Sequence, residues 1–254
     1  MKYSLALLAL PFLCAAANIP RAATVTTLPA YTGTLTLTTA TRIPAGGSYD
    51  GKMKRIDTGH PCELDVELGD ADIVFILGEG ATLSNVIIGP AQKRGVHCLG
   101  KCTLNNVWWS KTCYYGLSIV NQKAGDKTTI SGGGAFGVKA ADNVIENNGA
   151  GTVEISNFYA EGFNALYKSP GYSAPGAIAR HAIITNVSAK NGNNLAGINS
   201  NFGDTAKITK SSLTSVTNVC SRYQGTTDKN SEAYKLGSGN DGKNCIYGSD
   251  VVSA

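Results

Sequence analysis

The fold class this sequence predicts is all-β, a parallel β-helix. Three observations point to it. Helical periodicity is nearly absent, and short β-branched runs recur between glycines and asparagines. A pattern of apolar, small polar, asparagine, apolar returns at Leu83-Ser84-Asn85-Val86, Leu104-Asn105-Asn106-Val107, Ile155-Ser156-Asn157-Phe158 and Ile184-Thr185-Asn186-Val187. Degenerate copies occur at Ile130-Ser131-Gly132 and Ile208-Thr209-Lys210. The third positions, 85, 106, 132, 157, 186 and 210, lie 21, 26, 25, 29 and 24 residues apart.

That spacing marks a solenoid, in which each unit covers the apolar face of the next. Asparagine and glycine tolerate the left-handed backbone conformation that a sharp turn between two strands requires. Stacking would place the asparagines in a ladder of side-chain amides. The apolar residues beside them would point inward. A leucine-rich repeat calls for a more regular leucine pattern, and a propeller calls for longer, four-stranded repeats. An all-β sandwich with recurring asparagine turns is the remaining alternative.

The chain opens on a secretory leader. Lys2 supplies the positive end, Leu5–Leu10 and Phe12 an apolar core, and Ala15-Ala16-Ala17 the small residues of a cleavage site. A membrane span needs about 20 apolar residues, and Pro11 interrupts this run. The reading is therefore a signal peptide over 1–17 and one domain over 18–254, secreted and extracellular. Six cysteines follow the leader: Cys62, Cys98, Cys102, Cys113, Cys220 and Cys245. An even count in an exported chain reads as disulfides, with 15 connectivities left open. Cys98-x-x-x-Cys102 beside His97 also offers zinc-ligand types, but an oxidising compartment favours disulfides. The sequon Asn186-Val187-Ser188 is a candidate for a glycan.

Solenoid ends need caps. The threonine-rich stretch 30–48 is expected to pair along the first rung. The polar tail from Asn218, carrying Cys220 and Cys245, is expected to fold over a flank and be stapled there. Net charge is +4 for the whole chain, and removing the leader with Lys2 leaves one charge fewer. A mildly basic protein is compatible with an acidic polymer. No dense Lys/Arg cluster suggests nucleic acid, and no later stretch suggests a membrane. A monomer is expected.

Longer strings resemble the pectate lyases of polysaccharide lyase family 3. Ser48-Tyr49-Asp50-Gly51-Lys52-Met53-Lys54-Arg55 is similar to the family's "FDGGMKR" opening. Val74-Phe75-Ile76-Leu77, Gly80-Ala81-Thr82-Leu83 and Ile87-Ile88-Gly89 follow the same family. So do Gly95-Val96-His97-Cys98, Asn106-Val107-Trp108-Trp109, Gly197-Ile198-Asn199-Ser200-Asn201 and Gly203-Asp204-Thr205-Ala206. The resemblance covers about Ile43 to Val219. It implies a right-handed β-helix and β-elimination on polygalacturonate. In that reaction a base removes the C5 proton of a galacturonate, and Ca²⁺ on the carboxylate stabilises the developing charge.

The family's acidic metal ligands precede "GVHC" and fill "WWEDVCEDAL". Here Arg94 precedes Gly95, and Ser110, Lys111, Tyr114 and Tyr115 follow Trp108-Trp109. Calcium wants several oxygen ligands, so no metal site and no bound Ca²⁺ are expected from these positions. The family's basic residues align with Asn143, Ala165 and Lys168. Asn and Ala cannot act as bases. An insertion near Phe136-Gly137-Val138-Lys139 shifts the alignment at the first of these, which brings Lys139 close to it without making it the candidate. Lys168 is the catalytic candidate. Arg94, Lys111, Tyr114, Tyr115 and Arg180 are the candidate contacts to pectate or oligogalacturonides. Three functions compete: a working lyase, a lyase that has dispensed with calcium, and a non-catalytic homologue that binds pectin or a protein. One tryptophan of Trp108-Trp109 should be core, since neighbours on a strand face opposite ways. His97 is expected to hydrogen-bond within a rung.

Overall fold

The computed structural model describes residues 25–62, 69–137, 143–173 and 176–253. The expected leader and Lys139 lie outside them. In chain order the first strands are β1 (Thr34–Thr36), β2 (Thr41–Ile43), β3 (Ser48–Asp57), β4 (Ile73–Leu77), β5 (Ala81–Ile88), β6 (Arg94–Cys98) and β7 (Cys102–Trp109). Then come β8 (Tyr115–Ile119), β9 (Lys127–Phe136), β10 (Asn143–Asn147), β11 (Gly151–Ser156), β12 (Tyr159–Glu161), β13 (Ala165–Lys168) and β14 (Arg180–Thr185). The last are β15 (Ser188–Asn199), β16 (Thr205–Thr209), β17 (Ser212–Gln224), β18 (Tyr234–Ser238), β19 (Cys245–Tyr247) and β20 (Val252–Ser253). Two single-turn 3-10 helices sit at Asp70–Asp72 and Ser200–Phe202.

The strands stack in parallel as a β-helix of about seven turns. Each turn visits three faces. The front halves of β3, β5, β7 and β9 continue through β11, β14, β16 and β19 as a first sheet. Their back halves, flanked by β1 before and β12, β15, β17 and β20 after, form a second. The strands β2, β4, β6, β8, β10 and β13, with the far ends of β15 and β17, form a third.

The corner between the first two sheets is where the repeat falls. Asn85, Asn106, Asn157 and Asn186 all have φ between 51° and 54°, and Lys210 has 51°. Asn106 Nδ2 donates to Asn85 Oδ1 at 3.0 Å, and Asn186 Nδ2 to Asn157 Oδ1 at 2.7 Å. The ladder is broken at Gly132-Gly133, where no amide is available. Asn186 is buried within it, and its amide is committed to Asn157. That argues against a glycan on this sequon in the folded chain.

Two residues before each turn residue the register stacks Leu83, Leu104, Ile130, Ile155, Ile184 and Ile208, all fully buried. A buried aliphatic side chain contributes roughly 1.5–3 kcal/mol relative to exposure, so this column alone favours the stacked state strongly. Trp109 joins the same core. Trp108 faces out from the second sheet yet is only 2% exposed. It packs with Ile87 and Tyr159, and its Nε1 donates to Asn106 Oδ1 at 2.8 Å.

All six cysteines pair: Cys62–Cys113, Cys98–Cys102 and Cys220–Cys245. The zinc alternative therefore gives way to a disulfide. The tail also departs from expectation. Rather than lying over a flank, β19 and β20 extend the first and second sheets in parallel. Only β18 turns back, pairing antiparallel with β17. No helix among the described residues is long and apolar enough to cross a membrane.

Candidate functional site

The third sheet carries the polar rows. Register aligns Arg42, Ile76, His97, Ser118, Glu146, Lys168 and Gly197 across successive strands. Three residues earlier on the strands, Arg94 pairs with Tyr115, and Asn143 is followed by Ala165, Asn194 and Asn218. Between the rows the chain turns inward: Val144, Leu166 and Leu195 enter the core, and a side chain at Gly95 would collide with the Trp109 ring nitrogen. Glycine at 95 is thus required by the tryptophan behind it.

At one end of this face the structure gathers Arg94, Tyr114 and Tyr115. The Arg94 guanidinium carbon stands 5.9 Å from the Tyr114 ring centroid, and the two tyrosine rings meet edge-on at 5.6 Å. Lys111 belongs to the same loop. Gln92 Nε2 donates to its carbonyl at 2.9 Å, and the Cys62–Cys113 disulfide pins the loop. Arg94 Nε is buried with no hydrogen-bond partner. His97 behaves differently from expectation: its buried Nδ1 also has no partner. Burial lowers the His97 pKa, Arg94 lowers it further, and Asp70 opposes both.

These residue types do not fit a calcium ion. The cluster offers two cations, a serine hydroxyl and phenol oxygens in place of carboxylates. Nearby acids are engaged elsewhere: Asp72 meets Lys93 and His60, each at 3.2 Å, and Asp70 pairs with Arg42. Among the described residues no group of three His, Cys, Asp or Glu is placed to hold a metal.

Lys168 lies along the same face, three strands over from Arg94 and three residues further along. Strand geometry puts their backbones on the order of 17 Å apart. Its Nζ sits 3.3 Å from the centroid of the Tyr223 ring. Gly197 makes the room, since a Cβ there would stand 2.9 Å from Lys168 Cδ. Burial pulls the Lys168 pKa from 10.5 to about 8, with Lys235 pushing the same way and the facing Glu146 opposing. Asn143 Nδ2 donates to Glu146 Oε2 at 3.0 Å.

Arg180 does not join this face. It is 1% exposed, and its guanidinium donates to the carbonyls of Ile178 and Asn148 and to Ser173 Oγ. Its backbone N–H donates to Asp204 Oδ1 at 2.9 Å. A buried cation this tightly bound ties a corner of the solenoid together, and the expected uronate contact is corrected accordingly. Sequence reasoning missed Glu146, Tyr223 and Lys235. Only alternation within 143–147 hints at the first, and nothing local marks the other two.

Comparison with known proteins gives a consistent result. The family profile described as "Pectate lyase" matches residues 25–230. The chain is 43% identical to pectate lyase H of Emericella nidulans, over 87% of this chain and 82% of that protein. It is 40% identical to a probable pectate lyase E of Neosartorya fischeri, over 84% and 81%. Among solved structures, the catalytic domain of pectate lyase PelI from Erwinia chrysanthemi aligns with TM-score 0.70 and 25% identity, over 88% of this chain and 98% of that one. PelI in complex with tetragalacturonic acid shares the fold at TM-score 0.67 and 24% identity, over 88% and 71%.

Proposed function

The chain belongs to the pectate lyase family, and from that premise we propose that it is an extracellular monomer that takes polygalacturonate along the outer face of the third sheet. Lys168 is the residue available as base, and calcium-dependent activity is reduced or lost. The observation that carries this reading is Lys168 itself: a lysine brought to about pKa 8 on an open face, with no carboxylate within ion-pair distance among the described residues. A base works best with a pKa near the operating pH, and burial is a recurrent way to bring a lysine there.

In the reaction, the neutral amine of Lys168 takes the C5 proton of a galacturonate. The electron pair left on C5 forms the C4=C5 double bond as the C4–O bond breaks. The departing oxygen gains a proton. At the other end of the face, Arg94 and Lys111 stand where the family places acidic ligands. A guanidinium can grip a carboxylate in bidentate fashion, so these cations hold a uronate carboxylate directly. Tyr114 or Tyr115 adds a ring face or a hydroxyl.

The test follows formation of the unsaturated uronide by its absorbance, with and without Ca²⁺, for wild type and Lys168→Ala. Calcium-independent product that disappears in the variant supports the reading. Strict calcium dependence, or an unaffected variant, overturns it. A second reading, a non-catalytic pectin binder, draws on Asn143 and Ala165. Both are buried in the positions of the family's other bases. Binding without product is its signature.

A further inference from the structure

The family match ends at residue 230, yet the chain returns to the site after that point. Strand β18 runs antiparallel along β17, and its register sets Lys235 opposite Tyr223. Tyr223 is the residue whose ring lies under the Lys168 ammonium at 3.3 Å. Lys235 Nζ is held by Asn218 Oδ1 at 3.5 Å, on the same face. Lys235 itself is exposed.

We propose that Lys235, delivered by an antiparallel strand beyond the family-matched stretch, is a substrate-contacting cation that holds a uronate carboxylate beside the Lys168 amine. The inference rests on the pectate reading above and deepens it. Two like charges gathered on one face raise each other's free energy, and among the described residues Glu146 is the charge that opposes them at Lys168. Glu146 already accepts from Asn143. Neither lysine has a carboxylate within ion-pair distance among the described residues. An anionic ligand on the Lys235 ammonium supplies the missing countercharge. A uronide fits because it brings one carboxylate per sugar. Tyr223 keeps one ring face on Lys168 and fixes where that amine sits, while Lys235 stands exposed beside it.

The groups facing Lys168 are Glu146, Lys235 and Tyr223, which allows a readout that needs no ligand. Removing the like charge at 235 should raise the Lys168 pKa, seen as a shift in the pH dependence of its side-chain NMR resonance. Calorimetric titration with trigalacturonate at low salt then compares wild type with Lys235→Ala, Lys235→Arg, Lys168→Ala and the distant exposed Lys207→Ala. The expected result is about a fivefold weaker Kd for Lys235→Ala, the upper range for an exposed charge pair. Lys235→Arg should restore affinity, and Lys207→Ala should leave it unchanged. Wild-type affinity in Lys235→Ala overturns the Lys235 contact and leaves the pectate reading standing. No binding by wild type overturns both.

Discussion

The asparagine corner and the outer face of the third sheet are built on the same rungs, yet they hold opposite kinds of side chain. At the corner each rung repeats a left-handed turn residue, and the amides of Asn106 and Asn186 bond to the asparagine of the preceding rung. On the third sheet each rung contributes something different, from His97 through Ser118 and Glu146 to Lys168. The corner's groups satisfy one another. The face leaves Lys168 on a ring, Lys235 on an amide, and Arg94 Nε and His97 Nδ1 without partners. The difference teaches where a solenoid keeps its stability and where it keeps its chemistry. Satisfied polar groups stabilise the stack, whereas a face whose charges are not all paired is where a ligand can bind.

Substitutions should therefore sort into two classes. The largest effect is expected for Lys168→Ala, with kcat/KM falling about 100-fold to 10,000-fold, the range for a general base. Its thermal midpoint should stay close to wild type. A variant that loses stability but keeps turnover would erase the contrast. The pH dependence sharpens the same point. Product formation should rise as pH passes through about 8, where Lys168 loses its proton. Stability carries a matching signature. The folded pKa of about 8 lies below the ordinary 10.5, so between these values the unfolded chain holds more protons. Stability should climb with pH in that window and lose this rise in Lys168→Met, as chemical denaturation at several pH values will show.

Next in size is the Cys220–Cys245 bridge, which closes a stretch of 25 residues. Replacing both with alanine should cost about 3 kcal/mol in urea unfolding. Asn106→Ala should follow at roughly 2 kcal/mol, from the lost side-chain hydrogen bonds to Asn85, Trp108 and Met53 and a left-handed backbone that alanine resists. Asn106→Gly should recover the backbone part only. Oligogalacturonate affinity should be unchanged in either, and a large loss would mean that corner and face are coupled. The smallest effect is expected for the double variant Arg94→Ala, Lys111→Ala. Its low-salt affinity should fall a few-fold, and the difference should shrink as salt screens exposed charge. Equal affinity for both proteins would mean that those cations bind nothing.

How legible each region is in the sequence follows from the range of its interactions. The asparagine corner is a local matter. A residue that tolerates positive φ, flanked by inward-pointing apolar residues, declares itself at each repeat, and Asn85, Asn106, Asn157 and Asn186 fall where the spacing puts them. The repeat carried the fold class, and the family strings brought Arg94, Tyr114 and Tyr115 into one neighbourhood. Arg180 was read as a further substrate contact, but only the folded chain supplies the Asn148 carbonyl 32 residues away that binds it, along with Asp204, 24 residues on. Lys235 was illegible for the same reason. It enters the site through the reversal that sets β18 against β17, a pairing that no repeat announces. Sequence by itself determined the repeating turn, because backbone conformation and side-chain period act within a few residues. The tertiary structure decided which cations meet, because stacking joins residues that the chain separates by a full rung or more.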